Sequence, residues 1–120
     1  DYRLVAFTDD FGGALAATDV AVSRSGGVVW ELAAAGMPAL LVPYPHATAD
    51  HQYKNAVHFA AGGGVQVVRE ADLRLREQID ALLADVETLA RMGDAMRSLA
   101  RPDAAEQVAE ELMALGVAGR

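Results

Sequence analysis

Ser23-Arg24-Ser25-Gly26-Gly27-Val28-Val29-Trp30-Glu31 decides how this chain folds. The apolar run Asp19-Val20-Ala21-Val22 precedes it, and Leu32-Ala33-Ala34-Ala35 follows. That order reads as strand, glycine turn, helix. Two adjacent glycines let the backbone turn sharply and let a ligand approach the main chain closely. A helix opening at Val28 directs unpaired N–H groups and its positive dipole end at the turn, an arrangement suited to phosphate. Arg24 adds a positive charge, and Glu31 offers a carboxylate to sugar hydroxyls. A tight connection with no ligand has the same pattern, so the segment alone leaves both readings open.

Working outward, apolar runs of strand length recur at Leu4–Phe7, Val20–Val22, Ala39–Val42 and Val65–Val68. They are short and continuous, as strands buried on both faces of a parallel sheet are. Helix-like stretches separate them. Asp10 is placed to cap a short helix through Phe11–Ala17, and a second helix, Val28–Ala35, stops at Gly36 with Pro38 just beyond. The third follows Asp50, read as its cap, and runs through His51–Ala61 to Gly62-Gly63-Gly64. Alternation of this kind predicts an α/β fold, a Rossmann-like parallel sheet with helices on both faces. Right-handed crossovers then gather the strand-to-helix loops at one sheet edge, where ligands bind.

From Ala71 onward the pattern is helical only. Ile79, Leu82, Leu83, Val86, Leu89, Met92, Met96 and Leu99 recur at helical spacing, with a break near Ala84-Asp85. The methionines on this face read as core filling. A last helix follows Pro102, with Asp103 and Glu106 at capping-box spacing and Val108, Ala109 and Leu112 as its apolar face. Residues 1–70 thus form a βα core with binding loops, and residues 71–120 the closing helices.

Composition narrows the function. The 120 residues are 52% hydrophobic and only 6% aromatic, so the core is built from Ala, Val and Leu. A formal charge of −7, with Lys54 the sole lysine, argues against a nucleic-acid partner or an anionic membrane surface. With no cysteine, disulfides and thiolate metal sites are excluded. No apolar run approaches the roughly 20 residues of a membrane span. The opening at Asp1-Tyr2-Arg3-Leu4-Val5, already inside an expected strand, reads as part of something longer.

Three loops fall on the ligand edge. Phe7-Thr8-Asp9-Asp10-Phe11 either stacks Phe7 on a flat base or simply caps the first helix. The glycine turn is the second loop. The third, Pro43 through Asn55, is long and polar. Its His46, Asp50 and His51 match no metal-ligand spacing, so no metal is expected. Gln52 and Asn55 lie one turn apart on one helix face and suit sugar hydroxyls. His58, further along that helix, reads as a packed or surface residue. No nucleophile–base–orienter set can be assembled, which makes these loops binding apparatus with no catalytic residue in the chain.

Together the loops resemble glycosyltransferase family 28, specifically the C-terminal half of its peptidoglycan N-acetylglucosaminyltransferases. The resemblance rests on Phe7-Thr8-Asp9-Asp10, Ala17 through Gly26, Glu31 through Ala39, Val42-Pro43-Tyr44-Pro45-His46 and Asp50 through Ala56. It extends over Met92–Ala100 and Arg101-Pro102-Asp103-Ala104-Ala105. It implies the GT-B architecture, two Rossmann-like domains with the active site between them. The C-terminal domain would hold UDP-N-acetylglucosamine and the N-terminal domain, absent here, the lipid-linked muramoylpentapeptide acceptor. Carried over by position, Phe7 and Thr8 border uracil, Arg24, Ser25, Gly26, Gly27 and Val28 form the diphosphate turn, and Glu31 binds ribose. His51 and Gln52 contact the sugar, and Asn55 supports that loop.

The resemblance further implies inverting transfer without a metal or other cofactor, in a bacterial enzyme lying on the inner face of the plasma membrane. Two departures stand out. Val28 occupies a position where the family usually has Thr or Ser, and the turn is one residue shorter than in many members. A chain lacking the acceptor domain should not turn over by itself. Other readings are a UDP-sugar transferase with another acceptor, or a non-catalytic donor-binding subunit of a split transferase. The non-hydrolysing UDP-N-acetylglucosamine 2-epimerases share a Ser-Gly-Gly turn, but they carry acidic residues where Arg24 and Trp30 stand.

Overall fold

The computed structural model describes residues 2–118. Three parallel strands, β1 (Ala21–Ser23), β2 (Ala39–Leu41) and β3 (Val65–Val67), form one sheet in the order β1-β2-β3. Ala21 is in register with Ala39, and Ala39 with Val65. The helices are α1 (Phe11–Ala16), α2 (Val28–Ala34), α3 (His51–Ala61), α4 (Leu75–Ala84), α5 (Val86–Leu99) and α6 (Ala104–Ala118). The parallel α/β arrangement is the one the alternating pattern predicts.

Side chains of a strand alternate between faces, and β2 shows both faces covered. Ala39 and Leu41 pack with Val29, Leu32 and Ala33 of α2, Phe59 of α3 and Met96. Leu40 points the other way, into Leu82 and Met92 from the α4–α5 pair, with Val20, Val68, Ile79 and Leu89 around them. All three β2 residues are fully buried. Met92 and Met96 fill the core as the helical spacing implies.

Glycines end the two site-bearing helices. After α2, Gly36 adopts φ +65°, its N–H donating to Ala33 O and that of Met37 to Leu32 O, both at 2.9 Å. After α3, Gly63 at φ +84° repeats the motif, with Gly63 N to Ala60 O and Gly64 N to Phe59 O. These paired bonds satisfy the last helical carbonyls and turn the chain back toward the next strand.

Asp85 caps α5, its carboxylate accepting from the Thr88 N–H at 3.1 Å and the Thr88 hydroxyl at 2.7 Å. These bonds, with Arg91 nearby, hold its carboxyl below the ordinary carboxylate range. A depressed folded-state value stabilises the fold above the unfolded value and loses that contribution as pH falls through the folded one. Asp85→Asn is therefore expected to melt below the parent at pH 6, with the gap closing below about pH 4, the ordinary carboxylate value. Thermal melts at pH 6 and at successive pH values below about 4 would show it, and a gap that stays constant through that acid range would refute it.

Two expectations are corrected. Leu4–Phe7 is not a strand: Leu4 is 82% exposed and Phe7 84%, and among the described residues nothing pairs with the segment. A strand exists only through its lateral hydrogen bonds, which an apolar run alone does not provide. The last helix forms as α6, and Val108 and Leu112 of its apolar face are exposed. Asp103 meets the side chain of Gln107 rather than closing a capping box with Glu106.

Candidate functional site

Arg24, Pro43 and the Val68–Glu70 segment follow the carboxyl ends of β1, β2 and β3, so the connecting loops gather at one sheet edge. Glycine turn and α3 are locked together there. Ser25 is fully buried, and its hydroxyl donates to the Gln52 carbonyl at 2.6 Å. The Asn55 amide donates to Ser25 O at 2.8 Å and reaches Gly26 O at 3.5 Å. Gln52 Oε1 accepts from the Tyr44 N–H at 2.9 Å, tying the Pro43–Asn55 loop to the same point. A buried hydroxyl is costly unless paired, so these bonds fix the position of Gly26-Gly27 at the head of α2.

Val29 N donates to Gly26 O and Trp30 N to Gly27 O, both at 3.2 Å. The preceding N–H groups of the turn are those a helix start leaves without intrahelical partners. Glu31 stands exposed in the first turn of α2, nearer the glycine turn than its sequence distance alone conveyed.

Arg24 is more engaged than expected. Its guanidinium donates to Val42 O at 3.3 Å, Pro43 O at 3.4 Å and Glu70 Oε2 at 2.9 Å, and lies 5.8 Å from the Tyr44 ring centre. One side chain thereby links the ends of all three strands. Arg69 pairs with Asp50 at 3.2 Å, and its guanidinium lies over the Tyr53 ring at 3.7 Å.

Asp50 holds the position before α3 but makes no side-chain cap. That corrects its sequence reading: Ala49 and Asp50 have φ of 52° and 55°, whereas a capping side chain needs extended backbone. Left-handed backbone costs roughly 1–2 kcal/mol for residues other than glycine. The bend presents His51, whose Nδ1 lies 3.1 Å from Thr48 O. A carbonyl only accepts, so Nδ1 carries the hydrogen of this bond.

Phe7 and Thr8 stand apart. Thr8 Oγ1 accepts from Asp10 N at 3.1 Å, Asp10 caps α1 at Gly13 N, and among the described residues no hydrogen bond joins this stretch to the other loops. His58 is exposed, with its ring tilted beside Trp30 and edge-on to Phe59. Among the described residues no three His, Asp or Glu side chains converge. A recess of about 700 Å³ lies elsewhere. Asp19 and Pro38 line it, and they precede β1 and β2, so it opens at the opposite sheet edge.

Sequence reasoning missed Arg69 and Glu70. Their only signal was position: they directly follow the last strand.

A parallel sheet with loops gathered at its carboxyl edge is a nucleotide-binding class of architecture. The model of the glycosyltransferase family 28 C-terminal domain matches residues 1–108, and the chain belongs to that family. A relative from Paraburkholderia xenovorans is 46% identical over 112 residues, 92% of this chain. One from Salinibacter ruber is 45% identical over 116 residues, 94% of the chain. Both are named UDP-N-acetylglucosamine--N-acetylmuramyl-(pentapeptide) pyrophosphoryl-undecaprenol N-acetylglucosamine transferase. The chain spans 30% and 31% of their lengths. The crystal structure of Acinetobacter baumannii MurG superposes with a TM-score of 0.83 at 28% identity, covering 92% of this chain and 33% of that one.

Proposed function

We propose that this chain is the donor-binding part of an inverting glycosyltransferase that holds UDP-N-acetylglucosamine. Within a longer protein, an N-terminal acceptor domain would present lipid-linked muramoylpentapeptide, and N-acetylglucosamine would pass to it in peptidoglycan synthesis. The observation that carries this reading is the locked junction of glycine turn and α3, where Ser25 is bonded to both Gln52 and Asn55. It holds the glycine turn beside a helix start rich in neutral amides.

In this reading Arg24, Ser25, Gly26, Gly27 and Val28 form the diphosphate cradle, mainly through backbone N–H groups. Glu31 takes the ribose hydroxyls, His51 and Gln52 meet the sugar, and Asn55 secures the turn. Phe7 and Thr8 would border uracil once their segment is drawn in beside the other loops. Backbone donors, with no metal or other cofactor, would stabilise the departing UDP. Among the described residues no helix is long and apolar enough to cross a membrane. The reading accordingly places the whole protein on the inner face of the bacterial plasma membrane, held there by parts outside this chain. Alone, the chain would bind donor without transferring it.

Calorimetric titration of UDP, UDP-N-acetylglucosamine and UDP-glucose into the folded chain tests this. Binding of the first two, with UDP-glucose weaker than UDP-N-acetylglucosamine, is expected. A folded chain that binds none of them sinks the proposal.

A further inference from the structure

Immediately after β3, the adjacent residues Arg69 and Glu70 reach in two directions. Glu70 takes the guanidinium of Arg24 at 2.9 Å, at the mouth of the glycine turn. Arg69 takes Asp50 at 3.2 Å and covers the Tyr53 ring at 3.7 Å, at the bend before α3. Both ion pairs are about half exposed, with side-chain accessibilities of 42–49%. Pairs so exposed add little to global stability, which leaves their geometry to be explained.

The bend supplies the explanation. Ala49 and Asp50 both lie in the left-handed region, φ 52° and 55°, and alanine gains nothing there locally. Such backbone persists only where its surroundings over-determine it. Asp50 is held through its carboxylate by Arg69, through its N–H by Ala47 O at 3.0 Å, and at the following turn by the planar stack of Arg69 on Tyr53. Released, the bend would relax toward ordinary backbone and carry His51 and Gln52 with it.

The geometry points to Arg69 and Glu70 as positioning residues that set the two halves of the donor site separately: Arg69 the sugar-side bend, Glu70 the diphosphate-side turn through Arg24. The assignment to sugar and diphosphate rests on the donor-binding reading above. The holding of the bend does not.

The test uses the full chain and four variants: Arg69→Ala, Arg69→Lys, Glu70→Ala and Glu70→Gln. Arg69→Ala is expected to weaken UDP-N-acetylglucosamine by about tenfold, the equivalent of one or two lost hydrogen bonds to the sugar. UDP, which lacks the sugar, should change less than about twofold by the same reasoning. Arg69→Lys keeps the charge opposite Asp50 but not the flat stack on Tyr53, so it should restore part of the loss. Glu70→Ala and Glu70→Gln should weaken both ligands by a common factor. Equal losses for the two ligands in Arg69→Ala, or none, would overturn the division of roles.

Amide exchange of the unliganded chain gives a second readout. Asp50 should exchange faster in Arg69→Ala while the β2 amides keep their parental rates. Unchanged Asp50 exchange overturns the proposal outright. Faster Asp50 exchange in a chain that binds neither ligand upholds the brace and overturns the donor-binding reading instead.

Discussion

Glu31→Ala is expected to weaken UDP binding by ten- to a hundredfold. A hydrogen bond to a charged group contributes about 1.5–3 kcal/mol, and each 1.4 kcal/mol is about tenfold in affinity. Glu31 is exposed in the first turn of α2, where its removal leaves the core untouched. His58→Ala is the matched control. His58 is also an exposed helix residue, but it lies about two turns along α3 from His51, with its ring 6.2 Å from that of Trp30. Its loss should change UDP affinity by less than about twofold, since it offers the nucleotide nothing. Parallel titrations decide the matter, and equal losses in the two variants would remove the ribose role from Glu31.

Phe59→Ala is expected to have the largest effect on stability, about 3–5 kcal/mol, the usual cost of deleting a buried aromatic ring. Phe59 is fully buried, and Trp30 meets it edge-on with ring centres 4.9 Å apart. It joins α2 to α3 above the sheet, and its carbonyl accepts from Gly64 N in the turn that leads into β3. A domain of this kind is stable by only about 5–15 kcal/mol, so the variant should unfold at far lower urea and lose nucleotide binding with it. Trp30→Ala, at a site 38% exposed, should cost clearly less. A Phe59→Ala midpoint within experimental error of the parent would mean that this ring is not central to the core.

The elements that were legible in the sequence are those whose signals are local. His51–Ala61 has the helix bounds that its pattern predicts, and α2 ends one residue early only because Ala35 serves as its cap. The glycines after both helices mark left-handed positions that other residues resist. Leu4–Phe7 failed because a strand is a relation between segments, and an apolar run says nothing about what lies alongside. The α6 helix was legible from its periodicity, which reveals a face but not what covers it.

Within the candidate site, Ser25, Gln52 and Asn55 were picked out for a ligand, and the structure shows that Ser25 is also bonded to each of the other two. The glycine turn and the start of α3 were legible because turns and helix starts carry composition signals. Arg24–Glu70, 46 positions apart, and Arg69–Asp50, 19 apart, were not. Charged residues at such separations leave no trace in spacing. The left-handed Ala49 was equally hidden, because alanine carries no signal for that backbone as glycine or asparagine would.

The uncovered helix α6 has a consequence for how the chain unfolds. Its 15 residues leave the body after Arg101-Pro102, with Val108, Leu112, Met113 and Leu115 all more than half exposed. A helix of that length with its apolar stripe exposed is only marginally formed in water. The rest of the chain is held by a strand buried on both faces. One polypeptide thus carries two cooperative units of unequal strength, the weaker melting first while the sheet and its loops remain intact.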